Sequence, residues 1–326
     1  MGEFDLIRRY FQRPVRRAVL GVGDDCALLA PAAGMQLAIS SDMLVEGRHF
    51  FPDVNPRLLG HKALAVNLSD LAASGAKPLA FTLALSLPRA DEAWISEFAA
   101  GLLELADTHE CELIGGDTTG GPLNICITVF GEVPAGQALL RSGAKPGDEI
   151  WVSGQLGDAR LALEALLGHI ELPAALLAQA RQRLEAPTPR VALGLALRGI
   201  ASSALDVSDG LLGDLDHILE LSHVGATVDS RITTPLIAAS AYAAQTSWQF
   251  DLKLQQQCTL AGGDDYELCF TAPAARHADV LAAGAASATP VTCIGRIDAE
   301  PGLRVVGADG AYMQTHWKSF DHFGAA

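Results

Sequence analysis

One recurring unit constrains this chain more than any other feature: an apolar stretch that ends in Asp beside Gly or Ser. It occurs as Gly23-Asp24-Asp25, Ser40-Ser41-Asp42, Gly115-Gly116-Asp117, Asp206-Val207-Ser208-Asp209-Gly210 and Gly262-Gly263-Asp264-Asp265-Tyr266-Glu267. Asn67-Leu68-Ser69-Asp70 adds a further acid inside a helical pattern. Each instance alone has an ordinary reading, because Asp-Gly is turn chemistry and Ser-Asp before a helix is an N-cap. Six together are harder to assign to turns. Strand ends are where enzymes that interleave strands and helices carry their functional loops, so the pattern predicts a mixed α/β chain with chemistry at those ends.

Hydrophobic periodicity fills in the elements. An amphipathic helix is expected over 1–17, strands over Cys26–Ala30 and Gln36–Ser41, and a helix over Arg57–Ser74 closed by Gly75. Phe81–Leu87 reads as a strand, and the stretch from Asp91 to His109 as a helix with Asp91 as N-cap. Gly115 to Pro122 reads as a loop and Leu123–Val133 as a strand. A boundary is expected near Pro134–Arg141. Beyond it come strand Glu149–Ser153, helices near Asp158–Leu167, Leu176–Leu184 and Arg190–Leu197, strand Ala204–Val207 and helix Leu211–Ser222. Strands at Ala226–Asp229, Leu268–Thr271 and Thr292–Ile297 complete the reading.

A net charge of −15 argues against a nucleic-acid partner, whose phosphates require clustered Lys and Arg. Small phosphate substrates remain open, provided cations stand between the two sets of negative charge. Hard carboxylate and hydroxyl oxygens suit Mg²⁺, commonly held by one or two carboxylates with phosphate oxygens and water. The six Cys form no Cys-x-x-Cys pair, so reduced thiols in a cytoplasmic protein are expected. The N-terminus carries acids and no apolar run, and no stretch approaches the roughly 20 apolar residues of a membrane helix, so neither a signal peptide nor a membrane partner is expected. There is no Gly-x-x-x-x-Gly-Lys loop, no dinucleotide glycine fingerprint and no His-Arg-Asp loop. A nucleotide site would rest on amides around Gly115 and Gly116 and on a cation such as Arg141, although a solvated Arg is the plainer reading of that residue. Spacing alone leaves Asp70 undecided between solvent and a buried, paired position. The residues alone reach a metal-dependent phosphate enzyme and no further.

Longer blocks carry a resemblance. GVGDDCALL at 21–29, AISSDMLVEGRHF at 38–50, KALAVNLSDLAASGAKP at 62–78, LIGGDTTGGPL at 113–123, RSGAKPGDEIWVSG at 141–154, SALDVSDGLLGDL at 203–215, GGDDYELCF at 262–270 and WKSFDHF at 317–323 follow one another in the order found in thiamine-monophosphate kinases. The chain closely resembles that branch of the aminoimidazole-ribonucleotide synthetase superfamily. The resemblance implies a homodimer of two-domain α/β (α+β) subunits, with the N-terminal sheets forming an intersubunit β-barrel. It implies residues 1–138 as a metal- and nucleotide-binding and dimerisation domain, and 139–326 as a C-terminal α/β domain completing the active-site cleft. The implied reaction is direct transfer of the ATP γ-phosphoryl group to thiamine monophosphate with several Mg²⁺ ions.

By the same resemblance, Asp25, Ser40, Ser41, Asp42, Asp70, Asp117, Asp206 and Asp209 are expected as metal ligands, with Asp42, Asp117 and Asp209 central to catalysis. Gly116, Asp117, Arg141 and Ser208 are expected at ATP, and His49, Asp264 and Trp317 at the thiamine substrate. Ser41 and Met43 stand where the family commonly has Thr, Asp264 where Glu is common, and Gly120 where Arg is frequent. Another ATP-dependent enzyme of the superfamily is the nearest rival. The selenophosphate branch needs a reactive Cys in a Gly-rich N-terminal segment, and none precedes Cys26. A non-catalytic metal-binding protein is the rival of a different class.

Overall fold

The computed structural model describes residues 2–314. It divides into two compact units, one of residues up to Leu71 with Ala76–Ala138, the other of Ala72–Gly75 with the chain from Leu139 on. Among the described residues no helix is long and apolar enough to cross a membrane.

The first unit opens with the short helix α1 (Glu3–Leu6) and a π-helical turn, Ile7–Phe11, which buries Leu6 and Phe11. The helix expected to reach residue 17 stops here. Gln12 is already extended, and Pro14 can neither donate an N–H nor let its predecessor stay helical. The strand expected at Cys26–Ala30 is also absent; only isolated bridges such as Leu20↔Leu28 form there.

Four strands follow: β1 (Met35–Val45), β2 (Lys77–Leu87), β3 (Glu112–Gly120) and β4 (Asn124–Pro134). Their order is β1-β4-β2-β3, with only β2 and β3 parallel. Helix α2 (Pro56–Ala73) leads into β2, and α3 (Glu92–Thr108) makes the crossover that a parallel pair requires. Asp91 caps α3 as expected, accepting N–H bonds from Ala93 and Trp94 at 3.2 Å each. Ile95, Phe98, Leu102 and Leu105 form its buried face. Helices α2 and α3 meet backbone to backbone. A Cβ on Gly60 would lie 2.0 Å from the Phe98 carbonyl oxygen, and one on Gly101 would lie 1.8 Å from that of Arg57.

Two readings of loops are corrected. Ser40-Ser41-Asp42 lies inside β1, because β4 offers an equally long partner and the antiparallel ladder runs unbroken from Met35↔Pro134 to Val45↔Asn124. Gly115-Gly116-Asp117 lies inside β3, paired to β2, with a register shift at Phe81/Thr82 and a left-handed Gly116 absorbing the irregularity.

The second unit is built on six strands: β5 (Glu149–Ser153), β6 (Ser203–Val207), β7 (Gly225–Asp229), β8 (Glu267–Ala272), β9 (Val291–Asp298) and β10 (Gly302–Val306). They lie in the order β10-β7-β9-β5-β8-β6. Among the described residues eight α-helices accompany them: α4 (Asp158–Leu166), α5 (Ala174–Glu185), α6 (Val191–Ala196), α7 (Leu211–Ser222), α8 (Ser230–Thr233), α9 (Ala238–Gln245), α10 (Leu252–Ala261) and α11 (His277–Ala286). Ile150, Val152, Leu205 and Val207 from the sheet pack with Leu211, Leu215 and Ile218 of α7 in one apolar core. That packing fixes the β6–α7 turn, where Asp206 to Gly210 sit.

Candidate functional site

In the first unit, β1 and α2 bring three of the expected residues together. The Ser40 hydroxyl donates to Asp70 Oδ2, and the Asp42 N–H donates to Asn67 Oδ1 at 3.1 Å. Asn67 and Asp70 stand one helical turn apart, on the same face of α2. Asn67 is held in turn by its own donation to the Ala63 carbonyl. Ser40, Asp42 and Asp70 are all half-buried. Asp70, undecided from spacing alone, is therefore paired rather than solvated.

The neighbouring residues are placed differently. The Ser41 hydroxyl donates to the Ile127 carbonyl at 3.1 Å and lies 3.0 Å from the Thr128 hydroxyl, so it is turned toward β4. His49 Nδ1 accepts the Val45 N–H at 3.0 Å, fixing the turn after β1. Asp25 lies exposed in the irregular N-terminal stretch, where its N–H bonds the Asp24 carboxylate.

Gly116 and Asp117 are exposed on β3. Cross-strand register puts Asp42, Ile127, Leu83 and Gly116 in one row. Asp117 follows Gly116 and pairs with Ala84 in the adjacent row, so the β1 and β3 acids are at least three strand spacings, about 14 Å, apart along the backbone. A small cavity of about 40 Å³ adjoins Asp117, lined by Phe11, Val22, Leu83 and Leu113 among others.

In the second unit, the buried Asp206 is the last residue but one of β6, and Ser208 and Asp209 follow the strand as half-buried residues. The loop from Gly262 lies directly against them. The Asp264 N–H donates to the Ser208 carbonyl and the Tyr266 N–H to the Val207 carbonyl, both at 2.8 Å. Asp264 and Tyr266 hold left-handed backbone, φ 66° and 50°. The Tyr266 hydroxyl donates to Asp264 Oδ1 at 3.3 Å. Close approach explains the glycine before Asp264: a Cβ on Gly263 would lie 2.5 Å from the Ser208 carbonyl oxygen.

Arg141 lies apart, exposed. Its neighbour Leu140 accepts the Ala204 N–H at the start of β6, whereas Ser208 follows the end of that strand, about 13 Å along it. Trp317 lies outside the described residues.

Three groups that sequence reasoning missed hold this region in place. Asp214 Oδ2 accepts N–H bonds from Ser208, Asp209 and Gly210 at 3.0, 3.0 and 3.1 Å. Burial pushes its carboxyl up to about 7, the Asp209 charge adding to the rise while the three amide bonds oppose it. Asp265 accepts the Gly157 N–H with both oxygens, at 2.9 and 2.8 Å, and complete burial raises it well above the carboxylate range. Glu267, fully buried, accepts from Arg183, Arg190 and the Ser153 hydroxyl. An acid in the first turn of α7, after a Gly that has no capping side chain, was the one available signal, and it pointed to Asp214.

Among the described residues no three His, Cys, Asp or Glu side chains gather into a group able to hold a metal ion by themselves. The chemistry of the donors still suits Mg²⁺, which needs one or two carboxylates and completes its octahedron with phosphate and water oxygens. Ser40, Asp42 and Asp70 are such a set, and Asp206 with Asp209 is another.

Residues 23–133 match the family described as AIR synthase related protein, N-terminal domain, and residues 145–308 its C-terminal domain. The thiamine-monophosphate kinase of Escherichia coli (strain K12) is 45% identical over 328 residues, covering 99% of this chain and 98% of that protein. The crystal structure of thiamine-monophosphate kinase from Stenotrophomonas maltophilia K279a is similar with a TM-score of 0.83 at 45% identity, over 94% of this chain and 95% of that one. A structure described as AaThiL complexed with AMPPCP and TMP is similar with a TM-score of 0.76 at 29% identity, over 90% and 89% of the two chains.

Proposed function

Because this chain belongs to the thiamine-monophosphate kinases of the AIR synthase related family, we propose that its acidic residues hold the Mg²⁺ on which its reaction depends. That reaction is transfer of the ATP γ-phosphoryl group to thiamine monophosphate, giving thiamine diphosphate and ADP. A phosphate oxygen of thiamine monophosphate forms the new P–O bond as the bond to the ADP oxygen breaks. Both partners are anions, so positioning and charge neutralisation are the main tasks.

The observation that carries this reading is the gathering of Ser40, Asp42 and Asp70 over one face of α2. Bound Mg²⁺ would supply positive charge between the phosphates. Asp42 and Asp70 offer it carboxylates and Ser40 a hydroxyl oxygen, while Ser41, whose hydroxyl is turned toward β4 and bonded to Ile127, would have to leave that bond to join them. Asp25 and Asp117 of the same unit, and Asp206 and Asp209 of the second, are further ligands in this reading. Amides at Gly116 and the Ser208 hydroxyl bind ATP, Arg141 opposes its phosphate charge, and His49, Asp264 and Trp317 receive the thiamine substrate. Asp42, Asp117 and Asp209 are the groups on which turnover depends most.

The test is direct. Purified chain with ATP and thiamine monophosphate makes the diphosphate in Mg²⁺, stops in excess EDTA, and resumes when Mg²⁺ exceeds the chelator. Turnover that persists in EDTA would remove Mg²⁺ from the reading. Metal-dependent melting without any product would favour a structural role for the ion.

The working form is a homodimer in this reading. Strand β1 is an eleven-residue edge of its sheet, and it leaves Leu37, Ile39 and Met43 40%, 60% and 52% exposed. Long apolar edges are normally covered. A second copy of the same strand is the simplest cover. Ile39→Lys is expected to shift the sedimentation mass from twice the chain mass toward that of one chain. An unchanged dimer would place the interface elsewhere.

A further inference from the structure

Helix α7 begins in an unusual way. Its N-cap position is Gly210, with φ 116° and ψ 141°, and no side chain there can serve the orphan amides of the first turn. The three amides just ahead of the first turn are instead served from inside the helix. Asp214, only 5% exposed, folds back and accepts three consecutive N–H groups, from Ser208, Asp209 and Gly210, on one oxygen. Three successive amides can converge on one acceptor only if the backbone curls around it. The other side of this loop is also committed, since the Val207 and Ser208 carbonyls accept from Tyr266 and Asp264. Amides on one side and carbonyls on the other leave the turn little freedom.

From this we infer that Asp214 is a positioning residue for phosphoryl transfer: its carboxylate oxygen sets where Ser208 and Asp209 stand, without touching either substrate itself. The inference rests on the reading of Ser208 as an ATP contact and Asp209 as a metal ligand. What matters in it is the place of an acceptor oxygen, not the charge on that oxygen. This separates it both from a direct ligand role and from general support of the fold.

Two mild substitutions divide those possibilities. Asp214→Asn keeps an acceptor oxygen at the same reach and removes the charge. Asp214→Glu keeps the charge and moves the oxygen by about 1.5 Å, one carbon–carbon bond. Displacements of about 1 Å at a reacting centre cost about a hundredfold. Asp214→Glu should therefore lower kcat about 10- to 100-fold and raise the KM for ATP and the half-activating Mg²⁺ about tenfold. The KM for thiamine monophosphate should change much less. Asp214→Asn should restore most of the lost turnover.

Hydrogen exchange gives a second readout. The amides of 208–210 should stay protected in the Asn variant and exchange faster in the Glu variant, with the β5 and β8 amides unchanged in both. If Asp214→Glu does not fold, Asp214→Ser, whose hydroxyl is too short to reach all three amides, is read in the same way. Parent-like kinetics in the Glu variant would overturn the inference. So would an Asn variant as impaired as the Glu one, because charge would then be what matters. Asp209→Asn runs alongside. Full activity there defeats the reading of Asp209 itself, whereas a strong loss there with a neutral Asp214→Glu defeats only the positioning role.

Discussion

Asp42→Asn is expected to reduce turnover by about 10²–10³, the range seen when one preorganised oxyanion-hole donor is removed from an acyl-transfer site. The substitution is nearly silent for the fold. Asn has the same shape, and the strand at this position is held by backbone pairing of Asp42 to Ile127 and by the Asn67 bond to its N–H. Neither depends on the charge. What disappears is a negative charge beside Asp70, and with it most of the attraction for a hard divalent cation. Two readouts follow. The melting temperature should stay within a few degrees of the parent, and raising Mg²⁺ tenfold should recover part of the lost rate. Asp117→Asn, on β3 one residue past the end of that row, should lose activity to a similar degree. Full turnover in both variants would take these carboxylates out of the reaction.

Local signals carried much of the fold. Asp91 before an apolar 3.6-residue stripe specified α3 and its cap, and Leu211–Ser222 was readable as a helix because its apolar face follows directly on a buried strand. The two loop readings failed for one reason: the deciding partner strand lies elsewhere in the chain. Ser40-Ser41-Asp42 looks like a strand end by composition, yet β4, some 85 residues on, continues the ladder through it. The same holds for Gly115-Gly116-Asp117 against β2. The run from Ser230 to Gln245 has weak periodicity and small residues, so α8 and α9 left no clear pattern. At the site, the acids themselves were legible because Asp beside Gly or Ser recurs. Their supports were not. Asn67 gains its role only when β1 lies over α2, and nothing near Glu267 in sequence announces arginines at 183 and 190.

Those arginines lead to the largest stability effect. Glu267→Ala is expected to destabilise the second unit by about 3–5 kcal/mol, the usual loss when one partner of a buried ion cluster is removed. Glu267 is fully buried and takes both oxygens into use. Oε1 lies 2.7 Å from Arg183 and 2.5 Å from Arg190, and Oε2 accepts from Arg190 Nε at 2.6 Å and the Ser153 hydroxyl at 2.5 Å. Ser153 in turn accepts the Leu268 N–H at 2.8 Å, tying the cluster to the β5–β8 pairing. Removal of the carboxylate leaves two guanidinium groups facing each other with no acid between them. Arg183 and Arg190 keep 18% and 16% of their side-chain surface, so partial rehydration places the loss toward the lower end. At about 2–4 °C per kcal/mol for a unit of this size, the melting temperature should fall by about 6–12 °C. Glu267→Gln keeps acceptor and donor atoms in place and should lose less. Because the Gly262–Tyr266 loop is anchored next to this cluster, catalysis should fail at lower temperature in step with melting, and not at 25 °C. A melting temperature within 2 °C of the parent would mean that the two arginines find other partners, and that Glu267 does not hold the loop.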